Sequence, residues 1–200
     1  MLRKFVGDKI ERLFGLLEPF IPDNKIIPNI LTFTGLGINL IGAFLFFEGY
    51  MKIAAVVILF AGLFDILDGA VARARNLATE IGAFTDSVVD RYSDFVIFGG
   101  VMAYFIKKGD ITYSILLLFV LSGAFLISYI RAKAELIIPK CDVGFMERPE
   151  RIIVLALGAM FDMLKFAIWF LAIFTHLTAL YRIYYTIKVY KNNQPESEHK

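Results

Sequence analysis

Six long apolar segments limit this chain to a small set of folds. Most of them approach the roughly 20 residues that a helix needs to cross the hydrocarbon core of a bilayer. Hydrophobic residues make up 58% of the 200 residues, above the roughly 45–50% that is typical of soluble domains. The chain is therefore predicted to be an all-α integral membrane protein with six transmembrane helices at Ile30–Phe47, Ile53–Ala72, Ile81–Ile106, Thr112–Ala134, Arg151–Met163 and Lys165–Tyr190.

Two flanking segments differ from the six predicted spans. Through residues 1–19, apolar residues recur at helical spacing opposite a charged face, which predicts an amphipathic helix lying in the membrane interface. Residues 191–200 are polar and are expected to be disordered. The predicted organisation is a juxtamembrane amphipathic helix over 1–19, one six-helix domain over 28–190 and a polar tail over 191–200.

Basic residues are concentrated on one side of the predicted bundle. When the connections alternate between the two sides, most Lys and Arg fall on the side of the two termini, and the other side carries only Lys52, Lys107, Lys108 and Lys165. Cytoplasmic loops of membrane proteins carry an excess of Lys and Arg. We therefore expect a multi-pass cell-membrane protein with both termini in the cytoplasm. The formal net charge is only +2, so charge gives no reason to expect a nucleic-acid partner.

Four aspartates interrupt the second and third apolar segments near their predicted cytoplasmic ends. Asp65 and Asp68 are three residues apart and Asp86 and Asp90 are four apart, so each pair shares one helix face. The short loop between the segments would bring both pairs to the same depth. A carboxylate at the centre of a span costs about 2.5–3.5 kcal/mol, so four of them near one span end need a physical reason.

Divalent cations are the partners that these carboxylates predict. Because no Cys or His lies nearby, the oxygen ligands favour Mg²⁺ or Mn²⁺. Four carboxylates match a two-metal site of the kind that promotes phosphoryl displacement. The alternative is a water-exposed helix end whose carboxylates pair with Arg73, Arg75 and Arg91. Gly69 and Gly82 would let a ligand approach the backbone, and Arg73 would supply a cation for a phosphate.

The spacing of these residues resembles a known signature. The chain matches every fixed position of the motif of the CDP-alcohol phosphatidyltransferase family, as Asp65-x2-Asp68-Gly69-x2-Ala72-Arg73-x8-Gly82-x3-Asp86-x3-Asp90. Members of that family transfer a phosphatidyl or related lipid-phosphate group from a CDP-lipid to an alcohol and release CMP. The resemblance covers nearly the whole chain and implies a six-span homodimer whose active site opens to the cytoplasm.

The resemblance also implies roles for individual residues. The four aspartates would bind two Mg²⁺ or Mn²⁺ ions, and Asp90 would also be the general base that takes the proton of the acceptor hydroxyl. The CDP-lipid would contact residues on either side of this cluster, namely Asn29, Ile30, Leu31, Thr32, Gly69, Arg73, Thr79 and Gly82. Asn29 is also suited to be the N-cap of the first span, and the two roles are compatible.

Basic residues in the second half of the chain indicate an anionic acceptor. They lie at predicted cytoplasmic span ends and are expected to converge on the mouth of the aspartate cluster: Arg131, Lys133, Arg148, Arg151 and Arg182. An anionic acceptor needs such a pocket because the aspartates would otherwise repel it. The alternative is loop charge that only sets the orientation of the chain.

Three short segments, DSVVDRYSD, SYIRAKAE and ERPER, look like the subgroup of the family that uses inositol phosphate. Bacterial members of that subgroup make phosphatidylinositol phosphate, and archaeal members make archaetidylinositol phosphate. The donor would thus be CDP-diacylglycerol or CDP-archaeol, and abundant Ile, Phe, Lys and Glu favour the archaeal lipid of a thermophile. Glycerol 3-phosphate is the alternative acceptor, although its subgroup usually shows LDPxADK where this chain has TDSVVDR.

Two other classes of protein also place aspartates in membrane spans. A divalent-cation transporter needs acidic groups near the midplane with a path to both sides, whereas these aspartates lie near one side. A prenyl-transferring enzyme uses paired aspartates, but it does not need Gly69, Ala72, Arg73 and Gly82 at these spacings.

Overall fold

The computed structural model describes residues 27–74 and 79–193, with side chains for 30–65 and 79–193. All regular secondary structure in these ranges is helical, which confirms the all-α prediction. Six helices follow one another: α1 (Ile27–Glu48), α2 (Met51–Ala74), α3 (Glu80–Lys107), α4 (Ile111–Ala134), α5 (Arg148–Met160) and α6 (Leu164–Asn193). The predicted amphipathic helix over 1–19 lies outside the described residues. Helix α6 runs through Asn193, a few residues into the predicted polar tail.

Helix α5 differs most from the predicted spans. It begins at Arg148 rather than Arg151 and ends at Met160 rather than Met163. The earlier start is possible because Pro149 lies in the first turn, where a missing backbone N–H costs nothing. Beyond the helix, Asp162 has a φ of +60°, a conformation that Asp tolerates better than most residues. The chain thus turns at once into α6, as the short link between the fifth and sixth segments predicts.

Three of the described helices are long and apolar enough to cross a membrane by length and composition: Ile30–Glu48, Ile111–Ala134 and Leu164–Asn193. Helices α2 and α3 are as long, but they carry the aspartates. Helix α5 has 13 residues and is about 20 Å long at 1.5 Å per residue, less than the roughly 30 Å of a hydrocarbon core. Six membrane-crossing helices therefore stay a prediction.

Large apolar side chains cover the outside of the helices. Phe44, Phe95 and Phe166 are each more than 60% exposed, and many other aromatic and aliphatic side chains are exposed beside them. An apolar surface of this extent marks contact with a membrane or another apolar partner. The interior is closely packed, with Ala54, Phe98 and Leu171 fully buried. This distribution is the one expected of a bundle surrounded by lipid.

The six helices form a closed ring. The most extensive contacts join α1 to α2, α2 to α5, α5 to α6, α6 to α4, α4 to α3, and α3 back to α1. At one end of the ring, three ion pairs connect the three short turns: Lys52–Asp162 at 2.9 Å, Lys165–Asp110 at 3.2 Å and Lys107–Glu48 at 3.4 Å. Three of the four lysines predicted to share one side thus lie at one end, and the aspartates lie toward the other.

Helices α1 and α3 pack closely at one glycine, and a substitution there tests this packing. A Cβ atom at Gly100 would overlap the backbone oxygen of Ala43, whereas a Cβ at Gly99 would meet nothing within 4 Å. We expect Gly100→Ala to push the helices apart and destabilise the protein by about 1–3 kcal/mol. Gly99→Ala should leave stability unchanged or raise it, because Ala favours helix. Thermal unfolding in detergent measures both, and equal melting temperatures would contradict this packing.

Candidate active site

Three aspartates from two helices meet at the end of the ring opposite the ion-paired turns. Asp65 lies in the second half of α2, and Asp86 and Asp90 lie one turn apart on α3. One carboxylate oxygen from each lies within 4.8 Å of the other two, and all three residues are partly buried. Asp68 lies on the same helix as Asp65, but its side chain is outside the described ranges. The short α2–α3 connection therefore brings Asp65, Asp86 and Asp90 together, as their spacing predicts.

The carboxylates fit a hard divalent cation. Carboxylate oxygens are the ligands that Mg²⁺ and Mn²⁺ prefer, and three converge here from two helices. Three carboxylates, those of Asp65, Asp90 and Asp94, form ion pairs with Arg91, Arg148 and Arg151. The cluster is therefore suited to hold a divalent metal.

Arg148, the first residue of α5, reaches into the aspartate cluster. Its Nη1 atom lies 2.6 Å from Asp65 Oδ1 and 2.6 Å from Asp90 Oδ1. The side chain is only 15% exposed, so water weakens these ion pairs less than it would at the surface. Among the described side chains, Arg148 is the member of the predicted acceptor set that contacts the aspartates directly.

Arg151 lies behind Arg148, one turn along α5, and is 2% exposed. Its Nη1 donates to the backbone oxygen of Met146 at 2.9 Å, and its Nη2 donates to the carboxylate of Asp94. Asp94 is outside the predicted site residues. Its spacing could have identified it, because Asp86, Asp90 and Asp94 repeat every four residues along one face of α3.

Arg182 on α6 is 2% exposed and binds groups of the protein itself. Its Nε donates to Val143 O at 2.7 Å, its Nη1 to Ile127 O at 2.9 Å, and its Nη2 to Glu147 Oε1 at 3.1 Å. These contacts hold the α4–α5 loop, which ends just before Arg148, against α6. The predicted contact of Arg182 with the acceptor stays a prediction, and anchoring this loop is a role that the sequence pattern does not indicate.

The last turn of α4 places Arg131 and Lys133 at the same end of the ring. Arg131 pairs with Glu135 at 3.0 Å and lies 3.7 Å from Asp142. A hydrogen bond from Lys140 lowers the pKa of Asp142, so Asp142 keeps its charge beside Arg131. Lys133 is exposed and is therefore accessible to a ligand from solution.

The residues predicted to contact the CDP-lipid lie along α1, in the second half of α2 and at the start of α3. Ile30 is exposed, Leu31 is partly buried and Thr32 is buried. Thr79 is the N-cap of α3, and its Oγ1 accepts a hydrogen bond from the backbone N–H of Gly82 at 3.0 Å. Thr79 and Gly82 thus cap the helix, and this role is compatible with contact to a ligand. The remaining predicted positions have side chains outside the described ranges: Asn29, Gly69 and Arg73.

Known proteins resemble this chain over most of its length. The sequence profile described as CDP-alcohol phosphatidyltransferase matches residues 25–187. The archaetidylinositol phosphate synthase of Pyrococcus horikoshii is 32% identical over 184 residues, which cover 92% of this chain and 93% of the relative. The phosphatidylinositol phosphate synthase of Mycobacterium tuberculosis is 34% identical over 172 residues, which cover 80% of this chain and 78% of the relative.

Solved structures agree with the sequence comparisons. A crystal structure of the phosphatidylinositol phosphate synthase of Mycobacterium tuberculosis with CDP-DAG bound has a TM-score of 0.76 and 32% identity, and the match covers 94% of this chain and 97% of that one. A structure of the same enzyme in complex with manganese and citrate also has a TM-score of 0.76 and 32% identity, covering 94% and 92%. The profile, the relatives and the shared fold together show that this chain belongs to the CDP-alcohol phosphatidyltransferase family.

Proposed function

We propose that this enzyme transfers the lipid-phosphate group of a CDP-lipid to a hydroxyl of inositol 1-phosphate and releases CMP. The observation that carries the proposal is the position of Arg148, 2.6 Å from both Asp65 and Asp90. It puts a guanidinium, which is suited to phosphate, next to a cluster that is suited to cations. Inositol phosphate as the acceptor is supported by the names of two relatives. They are the archaetidylinositol phosphate synthase of Pyrococcus horikoshii and the phosphatidylinositol phosphate synthase of Mycobacterium tuberculosis.

The proposed transfer breaks one phosphorus–oxygen bond and forms another. The acceptor oxygen bonds to the phosphorus that carries the lipid, and CMP leaves with the electron pair of the bond that breaks. Asp90 would take the proton of the attacking hydroxyl. Both oxygens of Asp90 face arginines, Oδ1 at 2.6 Å from Arg148 and Oδ2 at 3.5 Å from Arg91. Because each carboxylate oxygen can accept more than one hydrogen bond, Asp90 can receive the acceptor hydroxyl beside these contacts.

We propose that Asp65, Asp68, Asp86 and Asp90 hold two Mg²⁺ or Mn²⁺ ions. The bound ions would neutralise the pyrophosphate of the CDP-lipid and stabilise CMP as a leaving group. Two findings support a metal: the convergence of three of these carboxylates within 4.8 Å and the manganese complex of the related Mycobacterium tuberculosis enzyme.

The donor is proposed to lie between the start of α1 and the α2–α3 loop. This placement follows from the predicted CDP-lipid contacts, which flank the aspartates: Asn29, Ile30, Leu31, Thr32, Gly69, Arg73, Thr79 and Gly82. The CDP-DAG complex of the related enzyme supports a CDP-lipid donor. The relatives include both archaetidyl- and phosphatidyl-lipid synthases, so the donor is either CDP-archaeol or CDP-diacylglycerol.

We propose that all six helices of the 28–190 domain insert in the cell membrane. Both termini and the active site would lie on the cytoplasmic side. Two copies of the chain would form a homodimer. The three apolar helices and the exposed apolar surface support membrane insertion. The gathering of Lys52, Lys107 and Lys165 at the end away from the aspartates supports the orientation. The dimer rests on the family resemblance.

A panel of acceptors tests the proposed function. Purified enzyme in lipid nanodiscs would receive Mg²⁺, CDP-archaeol or CDP-diacylglycerol, and one acceptor: inositol 1-phosphate, glycerol 3-phosphate, free inositol or serine. We expect CMP release only with inositol 1-phosphate. Faster release with free inositol would contradict the anionic acceptor, and release only with glycerol 3-phosphate would reassign the subgroup.

Lysine substitutions at Arg148 and Arg151 test whether these residues bind the acceptor or only supply loop charge that sets the orientation of the chain. If these arginines only set the orientation of the chain, Lys at either position should leave activity unchanged, because orientation depends on the number of positive charges rather than on their shape. If the planar guanidinium binds phosphate, Arg148→Lys should raise the KM for inositol 1-phosphate about tenfold and spare kcat. Arg151→Lys should act in the same direction. The KM for CDP-lipid is the internal control, and a parallel rise in both KM values would indicate misfolding instead.

A further inference from the structure

Asp94 lies just beyond the aspartate motif, one turn after Asp90 on α3, and is 6% exposed. A buried carboxylate destabilises a protein unless it is paired, so Asp94 needs cationic partners. Both come from α5. Arg151 Nη2 donates to Asp94 Oδ2, and Arg148 Nε lies 3.8 Å from Asp94 Oδ1.

The contact between Asp94 and Arg148 is incomplete. Asp94 Oδ1 and Arg148 Nε are both buried, and neither has a hydrogen-bond partner among the described residues. The Nη1 of Arg148 is meanwhile bound to Asp65 and Asp90. The guanidinium of Arg148 thus lies between two acidic groups, the pair Asp65 and Asp90 on one side and Asp94 on the other. A shift of about 1 Å toward Asp94 would bring the 3.8 Å approach within the usual range of a hydrogen bond.

We propose that Asp94 is a positioning residue for Arg148. It holds the guanidinium at the edge of the cluster when Asp65 and Asp90 bind a cation, and so presents Arg148 to the phosphate of the acceptor. The inference rests on the proposed function, because the phosphate in question is that of the acceptor. Arg151 fixes Asp94 for this role, since its other contact, at 2.9 Å, is to the backbone oxygen of Met146 just before α5.

Electrostatics explain why a second anchor is needed. In a partly buried site, two carboxylates attract a guanidinium strongly. With no other anchor, Arg148 would stay on Asp65 and Asp90, compete with the metal there and be unavailable to the acceptor. Loss of Asp94 should therefore weaken the binding of both acceptor and metal, and it should do so only while Arg148 is present.

A double-mutant cycle in the full-length enzyme tests this dependence. We expect Asp94→Asn to raise the KM for inositol 1-phosphate and the Kd for Mn²⁺ by about fivefold or more, with kcat spared. The same substitution in Arg148→Met should change both constants by less than about twofold, because no arginine is left to position. Mn²⁺ binding is followed by electron paramagnetic resonance. Any other pattern overturns the proposal, including equal effects in the two backgrounds, which would mark a structural role.

Asp94→Asn leaves Arg151 as a buried cation without its carboxylate, which can unfold a protein. The comparison is therefore repeated in Arg151→Met, where Asp94→Asn should again raise both constants. Asp110→Asn, which removes a carboxylate paired with Lys165 at the opposite end, is the matched control and should change neither. If the wild-type enzyme released no CMP, the proposed function would be contradicted. The role of Asp94 would still be tested, because Mn²⁺ binding is measured without an acceptor.

Discussion

Asp90→Asn is expected to abolish CMP release while the enzyme still binds CDP-lipid. An asparagine amide has the shape of the carboxylate but does not take a proton from a hydroxyl near neutral pH. Loss of a general base lowers turnover roughly 10²–10⁴-fold. The contact between position 90 and Arg148 can be kept by the amide oxygen, so the fold should persist. Single-turnover CMP release and equilibrium binding of CDP-lipid in nanodiscs measure the two effects.

Asp110→Asn is the matched control for this experiment, because the same chemical change is made at the other end of the ring. Asp110 pairs with Lys165 at 3.2 Å, and its amide variant should turn over like the wild type. Turnover of Asp90→Asn within tenfold of the wild type would mean that Asp90 is not the base. Loss of Mn²⁺ binding together with turnover would support the metal role of Asp90, whereas loss of turnover with Mn²⁺ binding kept would support its role as the base.

Alanine at Asp65, Asp68 or Asp86 is expected to remove both turnover and tight Mn²⁺ binding. Each substitution deletes a carboxylate of the proposed metal site, and Arg148 and Arg91 then neutralise more of the charge that remains. We expect turnover to fall at least 100-fold and the Kd for Mn²⁺ to rise at least tenfold, which corresponds to about 1.4 kcal/mol. Mn²⁺ titration followed by electron paramagnetic resonance, with CMP release on the same samples, provides the measurement.

Asp68 is the most informative of the three variants, because its side chain lies outside the described ranges and only its spacing from Asp65 places it in the site. Near-normal activity and Mn²⁺ binding in any one variant would remove that residue from the metal site. Asp110→Ala again serves as the control at the opposite end and should keep both properties.

The helices were predictable because their signal is local. Long apolar segments define all six helices to within three residues at either end, as expected where burial in a bilayer dominates the choice of residues. Helix α5 differs from its prediction at both ends, each of which lies three residues earlier than predicted. These ends depend on Pro149 in the first turn and on the positive φ of Asp162. The number of helices that cross the membrane is also not decided by hydropathy where aspartates lie within the spans.

The chemical class of the site was predictable because the aspartate motif is local as well. Its residues lie within 26 positions on two consecutive helices, so helical periodicity and one short loop bring them together. The family match decides for a transferase over the cation transporter and the prenyl-transferring enzyme. Asp94 follows the same periodicity, but its partners on α5 are more than 50 residues away, and no local pattern identifies them.

The sequence by itself determined the helices, the end of the bundle that carries the aspartates, and the family. Each of these follows from periodicity or from spacing within neighbouring segments. Only the tertiary structure decided what the basic residues contact: Arg148 binds Asp65 and Asp90, Arg151 binds Asp94, and Arg182 anchors the α4–α5 loop. In the sequence these arginines look alike, as positive charges at span ends. They differ because closure of the helix ring sets which carboxylate or backbone oxygen lies within reach of each long side chain.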